Sequence, residues 1–544
     1  MLNKALLLFH TARYLKVGQI LNRVRRKFFK PKNALSVAPK TAIKVHNLKS
    51  LIKCKQTMFG DSRFNFLNKE FNLKRRQDWN SANVEKLSIY NLHYFDDLNS
   101  IGSDQREGWH NDLIKRWIDE NSYGFGNAWE AYPTSLRIVN WVKWSLSGGN
   151  LNKEGLDSLA SQARHLQQNL EYHLLGNHLF ENAKALIFCG LYFQGVEADQ
   201  WYQTGKKILK NELPEQVLSD GGNFELSPMY HSIFLEGLLD IINIHQVYAK
   251  SIPFYIDKMA TNMLSWLKYM CHPDNNISFF NDSALGVAPT LNELYIYAKH
   301  LNVVYNDKII NGLKHLNNSG YIRYSGKDVV LIADVANIGP DFIPGHGHAD
   351  ALSFEMSIFS KRVFVNSGVS TYSLGDDRNY QRGTKSHSTI MIDNENSSQV
   401  WGGFRVAKRA KVFNINTSML DNTIRFSACH DGYKRLKGNI VHCREWSISD
   451  NFLEILDNIT GTGEHIVSST LPLHPEVEIL DIQESFVILK VEEKKIVVNF
   501  EGVGLMQVKS AKYNQEFGLS LDNKQLIYSY NGALPFTTKI NISW

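Results

Sequence analysis

The run Gly345-His346-Gly347-His348-Ala349-Asp350 puts two imidazoles and a carboxylate within six residues, beside glycines that leave the backbone uncovered. Imidazole changes charge near neutral pH, so such a pair suits proton transfer or metal ligation. The apolar alternation that follows, Leu352, Phe354, Met356 and Ile358, predicts a strand over Gly345–Phe359. On that strand His346 and His348 share a face roughly 7 Å apart, at two strand rises. A bulky ligand can approach the backbone at the glycines.

Three further clusters put polar groups where a buried element ought to be apolar. Gly176-Asn177-His178-Leu179-Phe180-Glu181-Asn182 opens an apolar helix, with His178, Glu181 and Asn182 at i, i+3 and i+4 on one face. Asn177 reads as a helix cap, and Glu181 as a substrate contact or as the structural partner of His178. Ser227-Pro228-Met229-Tyr230-His231 reads as a helix start, with Ser227 as cap and Pro228 in the first helical position. Tyr230 then falls in the first turn, facing a cleft or packing at its rim. The stretch from Asn366 to Thr389 supplies His387, together with Arg378 and Arg382, which either bind acidic groups of a ligand or are solvated loop cations. His348 and His387 are plausible zinc ligands; Asn366 would be a weak third, because a neutral carbonyl offsets little of the ion's charge. Tyr372 and Trp129 are candidate sugar contacts, aromatic faces being common platforms for sugar rings.

Two kinds of element must position these groups. From about Arg63 to His315 apolar residues recur at helical spacing, in Leu113–Glu120, Thr134–Leu146, Leu156–Leu174, His178–Phe193, Trp201–Leu213, Pro228–Ala249 and Ile256–Cys271. After Asn317 short runs rich in Val, Ile, Phe and Tyr alternate with turn residues up to Trp544. The pattern predicts an α+β multidomain chain: a basic extension over 1–60, a helical domain over 61–317 whose hairpins would suit an (α/α) toroid, and an antiparallel β-sandwich over 318–544.

Composition narrows the class. The 544 residues are 43% hydrophobic and 21% charged, as in soluble globular proteins. No apolar run approaches the ~20 residues that span a bilayer. The run Ala5–Phe9 is too short for a signal-peptide core, so a cytoplasmic or inner-membrane-associated location is expected, with the periplasm as alternative. Five scattered cysteines, Cys54, Cys189, Cys271, Cys429 and Cys443, indicate neither a disulfide framework nor a zinc finger. The net charge of +6 is local: residues 1–60 hold fourteen Lys or Arg and no acid, and the remainder holds 46 basic and 54 acidic residues. In that extension Val17, Ile20, Leu21, Val24 and Phe28 recur at helical spacing beside Arg23, Arg26, Lys27 and Lys30. This basic amphipathic helix suits an anionic membrane surface or polyanion, or packs on the main body with its charges solvated. No nucleic-acid-binding motif accompanies the charge, and nucleic acid is not expected as a partner.

Together these segments resemble the heparinase II/III-like polysaccharide lyases. The resemblance runs from about Tyr90 onward, through Tyr90–Asp96, Glu130–Arg137, Asn177–Glu181, Ser227–His231, and above all Gly345–Phe359 and Val365–Thr389. It implies a helical toroid followed by a β-sandwich, and β-elimination on a uronic-acid-containing polysaccharide of capsule, exopolysaccharide or glycosaminoglycan type. It implies that Tyr230 and His346 handle protons while Asn177 and His178 meet the uronate carboxylate. His348, Asn366 and His387 then stand at a structural metal position, zinc being the candidate, where many relatives carry aspartate in place of Asn366. The base would be His346, or a Tyr230 whose pKa neighbouring imidazoles lower. One alternative is an inverting glycoside hydrolase drawing on Glu130, Asp220, Glu225 and Asp282, with carboxylates about 6.5–9.5 Å apart. The other is a non-catalytic polysaccharide-binding or assembly factor.

Overall fold

The computed structural model describes residues 2–306, 308–420 and 423–544. It begins with two short helices, α1 (Leu2–Ala12) and α2 (Val17–Phe28), the second coinciding with the basic amphipathic segment. A β-hairpin, β1 (Arg63–Phe66) and β2 (Lys69–Asn72), interrupts the region read as helical. Phe64, Phe66 and Phe71 alternate inward there and meet in one aromatic cluster, a period-two signal inside a region scanned for helical spacing.

The helical domain continues with α3 (Lys86–Tyr94), α4 (Glu107–Glu120), α5 (Ala131–Leu146), α6 (Lys153–Gln168), α7 (Gly176–Tyr192), α8 (Val196–Gln216), α9 (Pro228–Val247), α10 (Phe254–Tyr269) and α11 (Leu291–His300). Helix α7 is its axis, packed on α5, α8 and α9 and buried along its length except at His178. A Cβ at Gly205 would lie 2.6 Å from the carbonyl oxygen of Ala183, so the missing side chain sets the α7–α8 approach. Among the described residues no helix is long and apolar enough to cross a membrane.

The strands begin at Gly312 with a five-stranded antiparallel meander: β3 (Gly312–Leu316), β4 (Tyr321–Ser325), β5 (Val329–Asp334), β6 (Phe354–Ile358) and β7 (Lys361–Phe364). Then come β8 (Ile390–Ile392), the short pair β9 (Val400–Trp401) and β10 (Arg405–Val406), β11 (Val412–Leu420), β12 (Thr423–His430), β13 (Val441–Ile448), β14 (Phe452–Thr460), β15 (Glu464–Pro472), β16 (Glu478–Ile482), β17 (Phe486–Val491), β18 (Lys494–Glu501), β19 (Leu505–Glu516), β20 (Leu519–Ala533) and β21 (Phe536–Ser543). An eight-stranded sheet ordered β11-β12-β13-β14-β21-β18-β17-β16 and a four-stranded sheet ordered β19-β20-β15-β8 enclose the second core. Tyr321, Ile332, Val365, Tyr513 and Phe517 pack instead into the helical core, which joins the two halves.

Two expectations fail here. The strand read over Gly345–Phe359 is regular only at Phe354–Ile358; Leu352 has φ 60°, and Ser353 N bonds back to Asp350 O in a turn. His346 and His348 therefore sit on a loop, where period-two alternation does not apply. Second, Cys429 and Cys443 form a disulfide, because the β12–β13 register sets them directly opposite. Nothing in a spacing of fourteen residues announces that facing. Cys54, Cys189 and Cys271 are free.

Candidate active site

One carboxylate organises the ground between the two halves. Asp282, fully buried, accepts from Nδ1 of His346 (2.8 Å), Nε2 of His348 (2.8 Å) and both terminal nitrogens of Arg378 (2.5 and 2.7 Å). Burial alone would raise its pKa, but Arg378 and the two imidazoles outweigh that and hold it well below the usual carboxylate range. Its backbone is as firmly tied. Asp282 N donates to His346 O at 3.0 Å, and Ser227 Oγ donates to Asp282 O at 2.6 Å. The same Ser227 hydroxyl accepts from Tyr230 N, the cap read from the sequence. The first turn of α9 and the His346 loop are thus joined through one aspartate.

That junction stacks Tyr230 on His346, ring centroids 3.9 Å apart and planes tilted 31°. The Tyr230 hydroxyl lies 3.0 Å from that of Tyr372, whose ring is 4.8 Å from the Arg378 guanidinium. Burial, then the phenols of Tyr372 and Tyr132, push the Tyr230 pKa well above its ordinary value. The expected lowering by imidazoles does not occur, because burial, the neighbouring phenols and the Asp282 carboxylate all oppose a phenolate. With Nδ1 of His346 donating to Asp282, its Nε2 keeps a lone pair; Glu225 Oε2 lies 3.6 Å away.

From the toroid, α7 presents Asn177 and His178. Asn177 does not cap: Leu175 holds the cap position without a side-chain bond. Its Nδ2 donates to Tyr132 Oη (3.1 Å), its N to Glu225 Oε1 (3.3 Å), and its buried Oδ1 is unpartnered. His178 Nδ1 lies 3.2 Å from Glu171 Oε1. Burial lowers the His178 pKa, but Glu171 more than restores it, so the net shift is upward and the imidazolium form is favoured.

Behind His346, His348 Nδ1 faces His387 Nε2 at 3.1 Å. His348 Nε2 is committed to Asp282 and His387 Nδ1 to the carbonyl of Gly383 (2.8 Å), which leaves a lone pair on each of the facing nitrogens. Burial lowers the pKa of both rings, that of His348 to about 4. Two lone pairs so opposed call for a cation. Asp350 completes a cluster with them, its Oδ2 unpartnered, and both amide atoms of buried Asn366 are unpartnered too. These groups fit a divalent metal, with Asp350 supplying the anionic ligand that Asn366 lacks.

Several expected substrate contacts are framework. Trp129 is packed against Trp117, Tyr123 and His165. Glu181, fully buried, pairs with Lys184 rather than His178. Arg382 spends its donors on the carbonyls of Gly347 and Gly403, and Arg378 spends its own on Asp282 and Gly403. Both are buried, so neither is a solvated loop cation nor a free anion binder. Three of the four hydrolase carboxylates are likewise engaged. Asp282 is sealed, Asp220 caps the Asn318–Ser319 turn, and Glu130 pairs with Lys86 and Tyr90. Asp282, Glu225 and Tyr132 are the site residues to which sequence reasoning assigned no part in this arrangement; no local spacing links them to their partners.

Two family models match: Heparinase II/III N-terminus over residues 150–308 and Heparinase II/III-like, C-terminal over residues 310–544. A heparin-sulfate lyase of Pedobacter heparinus is 32% identical over 270 residues, covering 45% of this chain and 40% of that protein. A heparin-sulfate lyase of Bacteroides stercoris is 27% identical over 251 residues, covering 42% and 37%. The alignments thus span less than half the length of these relatives. A crystal structure of heparinase III superposes with TM-score 0.70 at 20% identity, over 87% of this chain and 80% of that one, and so shares the fold.

Proposed function

The chain belongs to the heparinase II/III-like family, and from that premise we propose that it is a polysaccharide lyase cleaving a uronate-containing acidic polysaccharide by β-elimination. The observation that carries this reading is the Tyr230–His346 stack, built from both halves of the chain beside Asn177 and His178. The heparin-sulfate lyases among its relatives support the substrate class.

In the reaction the C5–H bonding pair becomes the C4=C5 double bond, and the C4–O pair leaves with the oxygen, which takes a proton. The C5 proton is weakly acidic because charge builds next to a carboxylate. Asn177 Nδ2 and the imidazolium of His178 offset that charge as the carboxylate becomes an enolate, each donor being worth about 3 kcal/mol. His346 Nε2, its other nitrogen held by Asp282, accepts the C5 proton. Tyr230, kept protonated by its surroundings, donates to the leaving oxygen. Glu225, beside both His346 and Asn177, aligns base and carboxylate binder. The test is a panel of uronate polymers: the expected product is unsaturated and absorbs ultraviolet light, and Tyr230→Phe lowers kcat by about 10²–10⁴. Saturated ends without an ultraviolet gain would favour hydrolysis instead.

We further propose one structural zinc, held by His348, His387 and Asp350. Its positive charge would pin the loop that carries His346. The outward stripe of α2 supports a peripheral membrane contact: Val17, Leu21 and Phe28 are 72%, 63% and 84% exposed beside Arg25 and Lys27. Leu21→Asp with Phe28→Asp is expected to release the protein from phosphatidylglycerol vesicles in a sedimentation assay; unchanged binding would end that reading.

A further inference from the structure

Helix α2 faces the protein with its polar side. At about 100° per residue, Lys16, Gln19, Arg23 and Arg26 lie on one side and Val17, Leu21, Val24 and Phe28 on the other. Gln19 is the buried residue of the helix, its amide donating to Leu174 O in the toroid (3.4 Å) and Phe342 O in the sandwich half (3.3 Å). Lys16 is taken up by Glu215 and by the Phe342 ring, 3.8 Å from its centroid. The other two cations of this side meet no such partner. Arg26 reaches Nδ1 of His173 at 3.4 Å, a neutral group that burial and Arg26 together bring down to about 4. Arg23 stands near Arg405, whose own guanidinium rests on the Trp401 ring at 4.9 Å.

These cations border the site already described. His173 and Leu174 lead directly into Asn177 and His178. Arg405 follows Phe404, whose ring lies 6.1 Å from that of His346 and 5.1 Å from that of Tyr372. Arg26 thus touches the residue four positions before Asn177, Arg405 adjoins in sequence a ring that packs on Tyr372, and Arg23 stands close to Arg405. Guanidinium groups gathered against an imidazole and an indole repel one another, and an anion in a fork geometry relieves the repulsion.

We propose that Arg23, Arg26 and Arg405 form an anion-binding subsite at the mouth of the cleft. It takes a carboxylate or sulfate on a sugar unit beyond the one being cleaved. The saccharide identity rests on the lyase reading; the site itself rests on the docking of α2 against His173, Leu174 and Phe342. A long acidic chain gains from this subsite and a disaccharide does not, because only the former reaches it.

The experiment uses full-length protein and the variants Arg23→Gln/Arg26→Gln and Arg405→Gln, with Arg25→Gln, away from the protein-facing side of α2, as a control. On a cleaved polymer the double variant and Arg405→Gln should each raise KM about tenfold with kcat unchanged, while a disaccharide substrate shows no effect. Calorimetric binding of heparin (sulfated) and polygalacturonate (carboxylate only) to Tyr230→Phe protein carrying the same changes reads the subsite without turnover. Absence of cleavage on every polymer would defeat the lyase reading and leave this binding comparison intact. Equal polymer affinity for wild type and both variants would overturn the subsite. So would an equal loss in the control, a fall in kcat in place of the rise in KM, or loss of phosphatidylglycerol vesicle binding with polymer binding unchanged.

Discussion

Two buried knots in this molecule share a plan. In the site, Asp282 holds Arg378 through both oxygens and His348 through Nε2, and His348 Nδ1 faces His387 Nε2 at 3.1 Å. In the sandwich, Asp457 holds Arg444 through both oxygens and His442 through Nε2, and His442 Nδ1 faces His430 Nε2 at 3.2 Å. What differs is the proton count. His430 Nδ1 accepts from Gly432 N, so its Nε2 carries the hydrogen and bonds to His442. His387 Nδ1 donates to Gly383 O, so its Nε2 has no hydrogen to offer. One pair is complete, while the other leaves two lone pairs facing each other, where the proposed metal would sit. The second oxygen of Asp282 also bonds to an imidazole that reaches the cleft, whereas Asp457 and its partners are sealed. The same charged motif thus acts as framework in one place and as the mounting of a reactive histidine in the other.

The sharpest way to separate the two is to neutralise each aspartate. Asp457→Asn leaves Arg444 uncompensated in the core and should cost about 3–5 kcal/mol in denaturant unfolding, with kcat of the folded fraction near wild type. Asp282→Asn should cost a similar amount and also lower kcat at least a thousandfold, as the tether of His346 and the pairing of Arg378 go together. Equal kcat losses for the two would remove the distinction. Metal content comes next. His387→Ala should abolish the roughly one divalent ion per chain expected by elemental analysis, and His430→Ala should leave it unchanged. The smallest effect is in acid. Burial pushes the Asp457 pKa up, but Arg444 and His442 outweigh it and bring it to about 2, below the ~3.9 of the unfolded chain. This group's stabilisation is therefore complete above about pH 4 and lost as pH falls toward 2, about 2–3 kcal/mol in all. Unfolding followed across that interval should be flatter for Asp457→Asn than for wild type; superimposable slopes would contradict the assignment.

How much of this was legible in the sequence follows from the range of the interactions. Helix α2, the Ser227 cap and the first-turn position of Tyr230 depend on neighbours within a turn, and periodicity displayed them. Asp282 was visible only as one carboxylate among several, because its partners lie 64, 66 and 96 residues away. Arg378 and Arg382 looked like anion binders for a related reason. A sequence displays a guanidinium but not the carbonyls that will consume its donors. The histidine strand failed because a turn at Leu352 outweighed an alternation that was real only from Phe354 onward.

Gln19 makes the clearance between the two domains a property of a third party. Its single amide touches Leu174 on one bank and Phe342 on the other, so any widening at this point must stretch one of those two contacts. Parting Leu174 from Phe342 would therefore also cost one of the contacts by which α2 docks.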